Sequence, residues 1–198
     1  GQGLGSFYLR TCRSPELALA SVGPVRALVR LRLSYVAEGK ATPANARAVY
    51  EFSYYRDSPL VGIRALVSQD EAFEWNELHI VEINYPGEDF GRYATSGTPE
   101  PQSLSSSEKT YSGSWAALVE GDSTLGLVSP AARIYDGRGG YGTYLHGPWE
   151  AWGGTERVLR AHLYLSGAQG SLVAFRELAP RLAGGARAQV TVPELQGM

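Results

Sequence analysis

Trp75, Glu77 and His79 stand at every second position of one apolar-rich stretch, Phe73–Ile83. A carboxylate and an imidazole two residues apart are ordinary partners for acid–base chemistry, because histidine titrates near neutrality. An indole beside them offers a flat face for a sugar ring. In an extended strand alternate side chains share a face. Phe73, Trp75, Glu77, His79, Val81 and Ile83 then point one way, and Glu74, Asn76, Leu78, Ile80, Glu82 and Asn84 the other. On that geometry Glu77 and His79 have Cβ atoms about 6.5–7 Å apart, within reach of one substrate. A hydrogen-bonded structural pair on a half-buried strand accounts for the same residues, and both readings stay open.

A second set of candidates lies in a Gly-rich segment from Tyr135 to Gly154, which holds Tyr135, Tyr141, Tyr144, Trp149 and Trp152. Rings on glycine-rich turns suit the C–H faces of a carbohydrate, and Asp136, Arg138, His146 and Glu150 would bond its hydroxyls. The same rings also fit a core in which the glycines only make turns. Gly137–Gly142 matches GxGxxG in form, but no helix follows to hold a pyrophosphate, so a dinucleotide site is excluded. Ser106-Ser107-Glu108-Lys109 matches SxxK inside a low-complexity loop and carries no chemistry. The three histidines are too widely spaced to predict a metal site, and neither metal nor cofactor is expected.

The elements around these residues read as strands. After Gly23-Pro24, Val25, Ala27, Val29, Leu31, Leu33 and Tyr35 alternate with Arg26, Leu28, Arg30, Arg32 and Ser34. The arginine row reads as a solvated face that discourages edge pairing, with a grip on acidic sugars as the alternative. Residues 47–56 form the next strand, Asp57-Ser58-Pro59 a tight turn, and Leu60–Gln69 a third strand. Short links between long strands imply an antiparallel meander. A long Pro/Gly/Ser loop is expected over about 86–107, then strands at Thr110–Glu120 and beyond the turn at Gly121-Asp122. In Arg157–Ser166, Leu159, Ala161, Leu163 and Leu165 face in while Arg160, His162 and Tyr164 face out. One helix fits Leu172–Leu182, capped by Ser171 and ended early by Pro180. Val190–Val192 reads as a last strand.

With 198 residues, 43% of them hydrophobic and 19% charged, the chain makes one domain with a sizeable core. A net charge of −2 gives no footprint for nucleic acid or an anionic membrane. Single Cys12 excludes an intrachain disulfide. The start, Gly-Gln-Gly-Leu-Gly, shows no leader pattern and fits a chain processed or excised from something longer; a secreted or periplasmic location is slightly favoured.

Gly23-Pro24-Val25-Arg26-Ala27, Trp75-Asn76-Glu77-Leu78-His79, and Trp115-Ala116-Ala117-Leu118 before Gly121 together resemble the super-sandwich domains of polysaccharide lyases and galactose mutarotase-like proteins. The likeness extends over residues 20–166. It implies an all-β, two-layer antiparallel β-sandwich with one short C-terminal helix, whose concave sheet receives a sugar. Mutarotase-like members use a Glu base and a His acid; lyase members use His and Tyr. Only Glu77 and His79 carry over, with Tyr54 as a lyase-style acid and Arg64 as a carboxylate neutraliser on neighbouring strands. The chain is short for a full super-sandwich, and the helical toroid of many such lyases has no counterpart in it.

The expected protein is thus a carbohydrate-binding or carbohydrate-processing β-sandwich. Its partner would be an oligosaccharide or polysaccharide, including uronic-acid glycans. If catalytic by β-elimination, His79 is the base, Tyr54 the acid, and Arg64 or Arg138 the group on the carboxylate. Trp75, Arg138, Tyr141, Tyr144, His146, Trp149 and Trp152 would bind substrate. The rival is a self-assembling structural subunit: a homo-oligomer, or a piece of a larger parent chain.

Overall fold

A computed structural model describes residues 6–37, 43–85, 90–105, 107–137 and 142–185. Fourteen strands and one helix follow in chain order: β1 (Phe7–Tyr8), β2 (Glu16–Val22), β3 (Arg26–Ala37), β4 (Pro43–Tyr55), β5 (Leu60–Gln69), β6 (Trp75–His79), β7 (Glu82–Tyr85), β8 (Arg92–Thr95), β9 (Gln102–Ser103), β10 (Lys109–Glu120), β11 (Ser123–Gly137), β12 (Gly142–His146), β13 (Trp149–Trp152), β14 (Glu156–Ser166) and α1 (Ser171–Ala183). All pairings are antiparallel.

The main layer runs β3-β4-β5-β14-β11-β10-β8-β9, with β1 and β2 both on the outer side of β3. Its meander follows from the alternation in the sequence. Leu31, Tyr50 and Ala65 lie in register across β3, β4 and β5 and turn the same way, towards the core. Strand β11 is long enough to serve both layers. Its first half, Thr124–Val128, pairs with β14, and its second half, Arg133–Gly137, pairs with β12. Between them Ala131 takes a left-handed φ of 50° and the β10 register slips past Gly113. The second layer is completed by β7 on β12 and by the separate β6–β13 pair. The main core fills the space between layers, with Leu78, Leu118, Leu127, Ile134 and Leu145 fully buried.

A smaller core lies on the other face of the main layer, under α1. Phe175 is fully buried against Trp115 and Tyr164, with ring centroids 5.5 and 5.1 Å away. Gly126 is a glycine because of this ring: a Cβ there would sit 2.5 Å from Phe175 Cζ.

Several expectations change here. Tyr164, placed outward by alternation, is buried beneath α1. Ser171 does not cap the helix, since Gly170 takes the cap position at φ 73° with no side-chain bond. The Ser171 hydroxyl instead donates to the Asp122 carbonyl at 2.5 Å and meets Thr124 Oγ1 at 2.7 Å, tying α1 to the β10–β11 turn. Pro180 lies inside the helix, which runs on to Ala183. The expected loop over 86–107 holds β8 and β9, and Tyr93, Ala94 and Thr95 are buried. The Gly-rich loop over 135–154 holds the end of β11, then β12 and β13. Val190–Val192 falls outside the described residues.

Candidate functional site

Phe73–Ile83 is not one strand. It breaks at Ile80–Val81 between β6 and β7, and the opposing chain breaks with it at Gly147-Pro148 between β12 and β13. The break is held from both sides. The Tyr50 hydroxyl donates to the Ile80 carbonyl at 2.6 Å, and the Gly147 N–H donates to the Val81 carbonyl at 2.9 Å. Burial pushes the Tyr50 phenol well above its usual range, so it stays a donor.

The kink assembles a cluster that a straight strand would scatter. Glu82, three residues after His79, would face away from it in unbroken β-structure. Instead Glu82 Oε2 accepts from His79 Nδ1 at 2.5 Å, and Glu77 Oε2 lies 3.4 Å from His79 Nε2. Across the pairing, Trp149 stands opposite His79 and His146 opposite Glu82. Trp149 stacks on His146 at 4.0 Å with an interplanar angle of 10°, and lies 5.2 Å from the His79 ring. The Arg133 guanidinium sits 5.4 Å from the Trp149 ring centre.

The two imidazoles are driven apart electrically. The Glu82 hydrogen bond raises the His79 pKa above its usual value, outweighing partial burial, and Glu77 adds to the rise. The same bond lowers Glu82. The two carboxylates thus favour the protonated form of His79 more than water would. His146 is buried and its pKa is lowered by that burial; its Nδ1–H donates to the Gly147 carbonyl at 2.8 Å. The solvent-facing groups are Glu77, with 68% of its side chain exposed, and His79 and Glu82, at 33% and 31%. Glu82 also lines a groove of about 260 Å³ on the core-facing side of the main layer.

The other expected residues divide. His146 and Trp149 join His79 and Glu77. Tyr144 packs against Tyr135, 5.8 Å between rings, and Tyr135 in turn lies 6.4 Å from Trp149. Trp75 is half-buried. Its ring is met edge-on by Phe7 and Tyr35, its Nε1–H donates to Gln69 Oε1 at 2.9 Å, and it leans on the main core. Trp152, opposite Trp75, packs there too. Tyr54 shares the core-facing side with Tyr50 but lies four residues along β4, about 13 Å away. Arg64 is on the opposite face of the sheet. It is cross-strand from Glu51 and donates to Glu51 Oε2 at 3.2 Å, while Arg30 donates to Glu51 Oε1 at 2.8 Å. Tyr54 and Arg64 thus lie on opposite faces of the sheet. The arginine row is largely a row of ion pairs, with Arg32 on Glu16 as well. Arg138 and Tyr141 lie outside the described residues. Among the described residues no group of three or more His, Cys, Asp or Glu could hold a metal ion, and no helix is long and apolar enough to cross a membrane.

No protein-family model matches the chain, and no curated protein matches it in sequence. Solved structures do match in fold. An α-galactosidase from Lactobacillus brevis aligns with a TM-score of 0.57 at 11% identity, over 87% of this chain and 30% of its own. A GH36 α-galactosidase from Geobacillus stearothermophilus aligns with a TM-score of 0.56 at 9% identity, over 84% and 29%. A galactose mutarotase related enzyme from Lactobacillus acidophilus gives a TM-score of 0.41 at 10% identity, over 76% and 71%. The chain spans about three-tenths of the length of the α-galactosidases it matches. At these identities the likeness is one of fold alone: mostly antiparallel β in a sandwich-like arrangement with a C-terminal helix.

Proposed function

We propose that this chain is a carbohydrate-binding domain whose sugar sits against Glu77, His79 and Glu82 at the mouth of the groove. The observation that carries the reading is the kink-built trio: two partly exposed carboxylates around an imidazole whose protonated form they favour. Carboxylates accept from pairs of sugar hydroxyls, and an imidazolium donates to a ring or glycosidic oxygen. Trp149, stacked behind His79, fixes the ring rather than serving as a platform. The fold shared with α-galactosidases makes galactosides the first ligands to try.

The same groups suit proton transfer to a sugar oxygen, with His79 as acid and Glu77 or Glu82 as the accepting carboxylate. Of the expected β-elimination set, Tyr54 lies on the core-facing side of the sheet, Arg138 falls outside the described residues, and the base would be His79. A raised pKa suits that residue poorly to a base's role, and Arg64 is turned away.

Calorimetric titration with galactose and methyl galactoside tests the reading. Binding should fall about 10- to 100-fold in Glu82→Gln, the loss of one charge-assisted hydrogen bond of about 1.5–3 kcal/mol. Unchanged affinity in Glu82→Gln and in His79→Ala, with both variants folded, removes the site. Polarimetry on freshly dissolved galactose separates processing from binding: faster anomer interchange, lost in His79→Ala, marks catalysis.

A second reading, the self-assembling subunit, draws on one observation. All seven residues of β2 are exposed, and its outer edge is unpaired among the described residues. Light scattering that shows a monomer at high concentration removes it.

A further inference from the structure

The groove behind Glu82 has a lining at odds with a bare sugar. Leu31, Leu33, Phe52, Ile63, Ile83 and Leu163 form its walls, and among the described residues that line it Glu82 alone is charged. The other polar side chain there, Tyr50, has its hydroxyl engaged by the Ile80 carbonyl. The strand backbone is committed to the ladders of β3, β4, β5 and β14. A pyranose pushed into this space would give up the hydration of several hydroxyls and find no replacement partners. Leu31, Leu33, Phe52, Ile83 and Leu163 nevertheless remain only half-buried, an apolar wall left in contact with water. That wall continues outward on the same face. Leu31 pairs with Leu17, and Val29, beside Phe52, pairs with Leu19; Leu17 and Leu19 are 72% and 64% exposed.

We infer that the ligand is an amphiphile: a sugar head at Glu77, His79 and Glu82 joined to an alkyl or acyl chain that lies in the groove and runs towards β2. This rests on the carbohydrate reading above and adds the aglycone to it. The geometry has both halves because Glu82 belongs to both the polar trio and the groove wall. An apolar chain needs no hydrogen-bond partners and covers the exposed leucines, while the head stays at the wet mouth.

The test is a chain-length series of methyl, butyl and octyl galactosides, titrated below the micelle threshold, with octane-1,2-diol as a chain carrying no sugar. Affinity should rise with each added methylene by up to about fourfold, the worth of burying one CH₂, until the groove is filled. Leu163→Trp, at a half-buried wall position, should flatten the series and leave methyl galactoside unchanged; Leu31→Trp gives an independent check should the first variant misfold. Equal affinity across the series overturns the amphiphile and leaves the sugar reading standing. Octane-1,2-diol binding as tightly as octyl galactoside, with no loss in Glu82→Gln, overturns both. Absence of binding by every member also overturns both.

Discussion

At His79 one ring meets two carboxylates, and the pH response of that contact has a definite sign. The folded pKa of His79 is raised from 6.5, so its contribution is complete below that value and fades as pH rises through the folded pKa. Glu82 is lowered from 4.5, so its contribution is present above 4.5 and fades as pH falls through the folded value. The pair therefore stabilises most between about pH 4.5 and 6.5. We expect the stability gap between wild type and Glu82→Gln, read from urea unfolding, to peak in that window at roughly 1 kcal/mol, the scale of a partly exposed pair. His146 works the other way. Its lowered pKa means the unfolded chain takes up protons first, so acidification below 6.5 costs stability there. At this scale the sequence was half legible. Glu77 and His79 two positions apart on a strand are visible as a pair; Glu82 is not, because period-two alternation sends it to the far face. Its arrival depends on the Tyr50 and Gly147 bonds, which come from residues distant in sequence. The packing of the Trp75 indole is hidden for a related reason: nothing local says that Phe7 and Tyr35 will meet it edge-on.

Among the elements, β3, β4 and β5 were plain from their alternation, since β4 and β5 bury one face and β3 does so until its buried end at Tyr35–Ala37. Strand β14 shows where such reading stops. Its Tyr164 carries the outward parity, yet α1 covers that face, and parity cannot report a helix packed on from outside. The α1 contact is also where the elements are most sensitive. Phe175→Ala empties the satellite core and should cost about 3–5 kcal/mol in chemical denaturation. Gly126→Ala places a methyl group into the Phe175 ring and should cost about 1–3 kcal/mol, with near-ultraviolet dichroism showing Trp115 disturbed. An exposed change on the same helix, Val173→Ala, should shift stability by no more than about 0.5 kcal/mol.

For the molecule as a whole, the apolar surface is unevenly distributed. Leu17, Leu19, Val22 and Val25 all lie exposed along one margin. Replacing Leu17 and Leu19 together by lysine should leave the unfolding free energy within about 0.5 kcal/mol and lower the uptake of an apolar fluorescent dye; a collapse in stability would mean that this margin is packed. The antiparallel meander was readable from strand spacing and turn chemistry and the two layers were implied by the family resemblance, but the division of strands between layers was in neither. It turns on the bend at Ala131, which parts β11 into a half bonded to β14 and a half bonded to β12. A single covalent rod threaded through both walls denies either wall a private way of coming undone. Amide deuteration in β12 and in β14 should accordingly rise with denaturant along one common isotherm, and Ala131→Gly, which relieves the left-handed strain at the bend, should shift protection in both walls by the same amount.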